Sequence, residues 1–179
     1  EGDIEAPAGE NEPTAIPRRD DYDDVQFVWE AAHQGDPKAQ HTLGLMYRKG
    51  EGGFAVNETE AIKWFRKAAD GGSSAAQYSL GLCHLSGKGA ELHVERGMTL
   101  LTSAAEKGFE AAMYALAQVY EEGGLVPKNV GLAIRYYKQA GDMGNADAFC
   151  WLRKHFEKRS SSRGSVEQDE QGEQGEQGE

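Results

Sequence analysis

One stretch of the sequence recurs along most of the chain. Its first occurrence spans residues 39–72 and reads AQHTLGLMYRKGEGGFAVNETEAIKWFRKAADGG. The opening alanine returns at intervals of 37, 36 and 36 residues, and a leucine follows it by four positions each time. These residues are Ala39, Ala76, Ala112 and Ala148, and Leu43, Leu80, Leu116 and Leu152. A constant interval at several positions indicates repeated structural units that stack on one another.

Glycines divide each repeat into two helical segments. Glycine suits the end of a helix because it adopts the left-handed backbone conformation without strain. The glycines at these ends are Gly35, Gly50, Gly72, Gly87, Gly108, Gly123 and Gly144. The period-two alternation of strands is absent. The sequence therefore predicts an all-α fold, a right-handed superhelical solenoid of antiparallel helix pairs, with three full repeats and a half repeat at each end.

The helix that carries the recurring alanine and leucine is called helix A, and its partner helix B. Helix A is predicted near 37–49, 74–86, 110–122 and 146–158, and helix B near 21–34, 58–71, 94–107 and 130–143. Asn57 and Asn129 can cap helix B by accepting hydrogen bonds from free backbone N–H groups. His93 is a poorer cap at the same position, and Asp20 precedes the first B helix in register.

The acidic charge of the chain is concentrated at its two ends. Residues 1–24 hold nine acidic and two basic residues, and residues 159–179 hold six acidic and two basic residues. The net charge of −11 thus comes from these segments, and the residues between them are balanced. A neutral body lacks the basic face that phosphates require, so we expect no nucleic-acid partner.

Composition also predicts the domain organisation. Residues 1–20 and 159–179 contain few large apolar residues, which predicts a disordered acidic N-terminal segment and a disordered acidic Gln-Gly-Glu tail around a repeat domain at 21–158. No run of 18 apolar residues is present, so direct membrane insertion is not expected. The chain starts at Glu1, so a targeting segment could have been removed, and both the cytoplasm and an organelle lumen stay open as compartments.

The repeat resembles the Sel-1-like repeat of the tetratricopeptide-like superfamily. The residues that carry the resemblance in the first repeat are Ala39, Leu43, Gly44, Tyr47, Gly50, Gly52, Asn57, Ala61, Trp64, Phe65, Lys67, Ala68, Ala69 and Gly72. The second repeat departs from the pattern at His84, His93 and Gly97, and the third at Ala117 and Leu125. Tetratricopeptide repeats themselves have a period of about 34 residues, which fits less well.

The resemblance implies a non-catalytic scaffold or adaptor that binds a protein or peptide and needs no cofactor. Such proteins act in membrane-protein quality control, organelle assembly, signalling and bacterial secretion, and the resemblance does not choose among these. The alternative is a regulatory or targeting repeat domain of a larger protein, with an enzymatic protein as one option. The residues themselves do not support an enzyme or a metal site, because the five histidines are scattered and show no ligand spacing.

Other repeat positions predict what lies inside the protein. Small and aromatic residues should form the contacts between helices: Leu43, Gly44, Tyr47, Trp64, Leu80, Gly81, Leu116 and Tyr136. Cys83 shares its position with Met46 and Val119, which favours a buried structural thiol, and Cys150 should be partly exposed. The second repeat should be the least stable, since Gly97 replaces a helix-favouring alanine at a cost of about 1 kcal/mol.

Helix A has a second stripe that could bind the partner. At helical spacing this stripe contains His41, Leu45, Arg48, Lys49, Tyr78, Leu82, Leu85, Tyr114, Gln118 and Glu121. In stacked helix pairs such a stripe lines the concave binding surface. Its character changes from basic through apolar to acidic, which predicts an extended peptide of the opposite polarity. The alternative is that the tyrosines pack between repeats and that the charges are merely solvated.

Overall fold

The computed structural model describes residues 19–156, with side chains from residue 24 onward. Seven helices have both ends in this range: α1 (Arg19–His33), α2 (Pro37–Lys49), α3 (Glu58–Asp70), α4 (Ser74–Ser86), α5 (Val94–Glu106), α6 (Glu110–Glu122) and α7 (Val130–Asp142). An eighth helix, α8, begins at 146 and continues to 156, the last described residue. No strand occurs between residues 19 and 156, so the prediction of an all-α chain is confirmed.

The predicted helix boundaries differ from the structure mainly at the first B helix. The bounds of α2, α4 and α6 are those expected for helix A, and α3, α5 and α7 end one residue early. The expected cap at Asp20 is wrong, because α1 begins at Arg19 and Asp20 lies in its first turn. Both residues belong to the predicted N-terminal segment, 1–20. The other residues of the two predicted disordered segments lie outside the described range.

Side-chain caps start the B helices of all three repeats. Asn57 Oδ1 accepts a hydrogen bond from the Glu60 backbone N–H at 3.1 Å, and Asn129 Oδ1 accepts one from Leu132 at 3.0 Å. His93 makes the same bond through Nδ1, which lies 3.3 Å from the Arg96 nitrogen. Its Nδ1 therefore carries no hydrogen in this arrangement. Each A helix of the three repeats ends at a glycine with positive φ, at 73°, 68° and 74° in chain order.

The described residues divide into two compact units. The N-terminal unit extends to Phe109 and contains α1 to α5, and the C-terminal unit starts at Glu110 and contains α6 to α8. The core of the N-terminal unit is rich in large side chains, including Leu43, Tyr47, Phe54, Trp64 and Phe65. The core of the C-terminal unit is built mostly from alanines around one aromatic ring: Ala117, Ala133, Tyr137, Ala140 and Ala148.

Helices A and B approach most closely at the small residues. A Cβ atom on Gly44 would lie 2.6 Å from the Phe65 ring and 3.1 Å from the Ala61 carbonyl oxygen. In the second repeat, a Cβ on Gly97 would lie 2.7 Å from the Leu85 side chain and 3.0 Å from the Gly81 carbonyl oxygen. Gly97 therefore weakens the helix locally but also gives Leu85 the room it occupies.

The predicted packing residues differ in burial. Leu43, Gly44, Tyr47, Trp64, Leu80, Gly81 and Leu116 are buried. Tyr136 is only half-buried and stacks on Tyr120, with ring centroids 6.0 Å apart and planes 2° from parallel. The buried tyrosine of this helix is its neighbour Tyr137, which is 1% exposed. The sequence pattern Tyr-Tyr did not show which of the two rings faces the core.

Close packing at Gly44 gives a stability prediction. Gly44→Val should lower the free energy of unfolding by about 1–3 kcal/mol, because the added atoms overlap the buried Phe65 ring. Gly131→Ala is the matched control, since a Cβ there has only one ordinary contact, with Asn129 at 3.4 Å. Gly131→Ala should raise the free energy of unfolding by up to about 1 kcal/mol. Urea denaturation followed by circular dichroism measures both, and equal effects would refute the packing argument.

Candidate functional site

In the N-terminal unit, the A helices α2 and α4 are joined by a hydrogen bond. His41 Nε2 on α2 lies 3.0 Å from Ser79 Oγ on α4, and the His41 ring is 5.5 Å from the Phe65 ring. Burial lowers the pKa of His41, and the positive charge of Arg48 lowers it further, so the imidazole is neutral at pH 7. His41, predicted as a partner-binding residue, therefore helps to hold two repeats together.

Two basic residues lie at the end of α2. Arg48 is half-buried, and its guanidinium carbon lies 5.5 Å from the centroid of the Phe65 ring, a cation–π distance that restricts the side chain's conformations. Lys49 is exposed and forms an ion pair with Glu51 at 3.4 Å. Because both side chains are exposed to solvent, this ion pair contributes little to stability. Leu45, one turn earlier, packs partly against the core. The surface at this end of α2 is thus basic, with one side chain already positioned.

The predicted residues of α4 divide into surface and core. Tyr78 is half-buried, and its ring centroid lies 5.4 Å from that of Phe109. Leu82 is half-buried as well. Leu85 was expected on the binding stripe, and this prediction is wrong: it is 8% exposed and packs against Gly97 of α5. The close approach of α4 and α5 draws Leu85 inward, which the spacing along one helix could not reveal.

In the C-terminal unit, the remaining predicted residues lie on α6. Tyr114 is half-buried against Tyr137, with ring centroids 5.6 Å apart, and Gln118 is exposed. Burial raises the pKa of Tyr114, and the carboxylates of Asp147 and Glu121 raise it further. Tyr114 is therefore a neutral, partly packed ring at pH 7.

Glu121 acts as an anchor of the C-terminal unit and is not a free acidic group. Its Oε2 accepts a hydrogen bond from the Tyr137 hydroxyl at 2.6 Å, and its Oε1 accepts one from Trp151 Nε1 at 2.9 Å. One carboxylate thus connects α6 to both α7 and α8. Tyr137 and Trp151 lie 16 and 30 residues away in sequence, so the repeat pattern alone gave no signal of these bonds.

The described residues offer little support for reactive thiols or for a metal site. Burial raises the pKa of the Cys83 thiol, which keeps it protonated and unreactive, whereas Cys150 is exposed. Within the part of the chain that the structure describes, no three His, Cys, Asp or Glu side chains are grouped as metal ligands would be. In the same residues, no helix has both the length and the apolar character to cross a membrane.

Comparison with known proteins identifies the family. The model of the Sel1 repeat matches three consecutive segments, 37–73, 74–109 and 110–145. The chain therefore belongs to the Sel1 repeat family. Its fold is an all-α solenoid of tetratricopeptide-like helical repeats, and proteins of this family are generally non-enzymatic scaffolds for protein interactions.

Solved structures show the same fold. A Sel1 repeat protein from Oxalobacter formigenes is 35% identical over 73% of this chain and 98% of its own, with a TM-score of 0.63. The protective antigen c5321 of uropathogenic Escherichia coli is 30% identical over 72% of this chain, with a TM-score of 0.66, but the match spans 27% of its length. Cysteine rich protein B of Helicobacter pylori is 17% identical over 77% of this chain and 98% of its own (TM-score 0.59), a likeness of fold alone.

The two bonds of Glu121 give a second prediction. Glu121→Gln should lower the free energy of unfolding by about 1–3 kcal/mol, because the amide nitrogen cannot accept the hydrogen bond that one carboxylate oxygen accepts now. Glu122→Gln makes the same chemical change at an exposed neighbour and should have little effect. Chemical denaturation of both variants is the test, and equal stability would show that the two bonds are not needed.

Because of Tyr137, the stability of the folded protein should change with pH in the alkaline range. Burial raises the pKa of Tyr137 well above its ordinary value, and the hydrogen bond to Glu121 raises it further. A raised folded pKa gives stability that is complete below the unfolded pKa of about 10 and declines as pH rises above it, by at most about 1.4 kcal/mol per pH unit. Urea titrations from about pH 9 to about pH 11 should show a shallower decline for Tyr137→Phe. Identical pH slopes for wild type and Tyr137→Phe would show that Tyr137 does not cause this pH dependence.

Proposed function

We propose that the protein is a non-catalytic scaffold that binds an extended peptide segment of another protein along α2 and α4. The observation that carries the proposal is the bond between His41 and Ser79, at 3.0 Å, which holds these two A helices side by side. We propose that the surface residues next to this bond act together as one binding stripe. The scaffold function of the family supports the same conclusion.

The chemistry of the stripe indicates the partner. Arg48 and Lys49 supply positive charge at the end of α2, and Leu82 supplies an accessible apolar side chain on α4. A matching peptide carries acidic side chains beside an aliphatic one. Because Arg48 is already held against Phe65, it loses less conformational freedom when it binds a carboxylate.

The predicted acidic end of the stripe needs revision. Each carboxylate oxygen of Glu121 already accepts one hydrogen bond, from Tyr137 and from Trp151, so this side chain is held within the C-terminal unit. On α6, Gln118 and Glu122 are exposed and Tyr114 is half-buried. We propose α6 as a separate, mildly acidic contact surface of the C-terminal unit.

A second candidate function is a repeat domain that regulates or targets a larger protein. One observation favours it: the match to c5321 covers only 27% of that antigen, so these repeats also occur within much longer chains. Sequencing the complete gene and its transcript tests this candidate. Further coding sequence for a catalytic domain would support it.

The scaffold proposal is tested by binding to a peptide array. Twelve-residue peptides, which are long enough to cross two neighbouring helices, combine acidic with aliphatic residues or basic with aliphatic residues. Wild type should prefer the acidic set, and Arg48→Glu/Leu82→Glu should weaken binding by about tenfold or more because it reverses the charge and removes the apolar contact.

The control variant is Arg135→Glu/Leu125→Glu, which makes the same two changes at exposed positions of the C-terminal unit. It should bind the acidic peptides as wild type does. Circular dichroism of both variants verifies that each remains folded. Equal loss of binding in the two variants, or no preference for acidic peptides, would refute a site on α2 and α4.

A further inference from the structure

The second repeat has two histidines at positions where the other two repeats have tyrosine and asparagine. The residues at these positions, in chain order, are Tyr47, His84 and Tyr120, and Asn57, His93 and Asn129. In every repeat the backbone N–H of the second residue donates a hydrogen bond to the carbonyl oxygen of the first, at 2.8, 2.9 and 2.8 Å. The rings of His84 and His93 lie 6.5 Å apart. Two groups that can take up a proton in mildly acidic solution therefore lie where helix A is joined to helix B.

The cap of α5 requires that His93 be neutral. Its Nδ1 accepts the hydrogen bond from the Arg96 backbone N–H at 3.3 Å. A proton on Nδ1 would turn this acceptor into a donor, and it would place a positive charge at the positive end of the helix. Asn57 and Asn129 make the same bond through an amide oxygen, which does not titrate. Of the three repeats, the second alone has a cap that a proton can remove.

The contacts of His84 also require the neutral ring. The side chain is 5% exposed. Its Nδ1 lies 3.2 Å from the Glu91 carbonyl oxygen, which can only accept, so Nδ1 carries the hydrogen of the neutral ring. A second proton would have to bind at Nε2, which is buried and has no hydrogen-bond partner among the described residues. It would create a buried charge with an unsatisfied N–H, which is costly.

The charged groups around the two rings do not favour an imidazolium. Those beside the rings are Lys63, Arg66 and Glu58 from α3, Glu91 from the loop after α4, and Arg96 from α5. Lys63 is paired with Glu60 at 2.6 Å. Neither histidine forms an ion pair with a carboxylate among the described residues. The positive and negative charges nearby are thus close to balanced, and no carboxylate is in place to stabilise a charged ring.

We propose that His84 and His93 make the second repeat an acid-sensitive switch, in which protonation removes the cap of α5 and opens the loop before it together with its first turn. The opened segment takes up protons freely and the closed one does not. The closed form is therefore fully favoured above about pH 7.5 and is progressively lost as the pH falls towards about 5.5. Gly97, in the second turn of α5, lowers the helix propensity there and makes opening easier. The inference concerns the second repeat alone and does not depend on the scaffold proposal.

Hydrogen–deuterium exchange of the full chain, followed by mass spectrometry, tests the switch. Exchange is measured from about pH 7.5 to about pH 5.5 and divided by that of the denatured chain, which removes the intrinsic effect of pH. Protection of residues 87–101 should fall about fivefold or more beyond that of the equivalent segments 51–65 and 123–137, as expected for a lost cap. Equal changes in the three segments would overturn the proposal.

Variants assign the effect to the two histidines. His93→Asn gives α5 the cap of the other repeats and should remove most of the excess loss of protection, and His84→Tyr/His93→Asn should remove all of it. His155→Asn is the control, because it removes a histidine from the C-terminal unit and should leave residues 87–101 as in wild type. His41 has a pKa lowered by burial and by Arg48, and it stays in every variant, so its contribution is constant.

An unchanged excess loss in folded His93→Asn would overturn the proposal. If the double variant does not fold, the comparison of His93→Asn with His155→Asn decides.

The protonation of the two rings can also be observed directly. At about pH 7.5, nitrogen-15 NMR of the full chain should find the hydrogen on Nδ1 in His84 and on Nε2 in His93, as their hydrogen bonds require. A hydrogen on Nδ1 of His93 at this pH would show that the ring does not cap α5, and it would overturn the proposal.

Discussion

The structure depends on the close approach of helix A and helix B within each repeat. At this point the facing residues are Gly44 and Ala61 in the first repeat and Gly81 and Gly97 in the second. No larger side chain fits without movement of a buried neighbour, since a Cβ on Gly44 already overlaps the Phe65 ring. The short distance between helix A and helix B brings their other apolar side chains into contact. Because each repeat is too small to bury these side chains alone, it also needs its neighbours. The small residues thus determine where all other contacts form.

In the first and last described helices, α1 and α8, charged residues occupy the repeat positions of Ala61 and Gly44. Asp24 of α1 occupies the position of Ala61, and Arg153 of α8 occupies the position of Gly44. The contact between Gly44 and Ala61 leaves no room for a side chain of that size, so the first repeat depends on small residues at these two positions.

The repeat interval was sufficient to predict the helices, their glycine ends and the Asn57 and Asn129 caps. These features are local: they follow from backbone conformation and from residues a few positions apart. The direction of individual side chains was harder to predict. Leu85 turned out to be core and Glu121 an acceptor for two distant donors, because both depend on how neighbouring helices cross. A periodic pattern places a residue on a face of its own helix, but only tertiary packing decides whether another helix covers that face.

Departures from the repeat pattern have two opposite physical consequences in this chain. In the third repeat, Glu121 gains partners from Tyr137 and Trp151, and the polar side chain becomes part of the packing. In the second repeat, His84 and Ala90 replace two buried aromatic rings, and the buried His84 Nε2 has no hydrogen-bond partner among the described residues. A lost packing residue lowers stability, but stacking on neighbouring repeats can offset that loss. A solenoid can therefore tolerate one repeat that is packed less completely than its neighbours without loss of the fold.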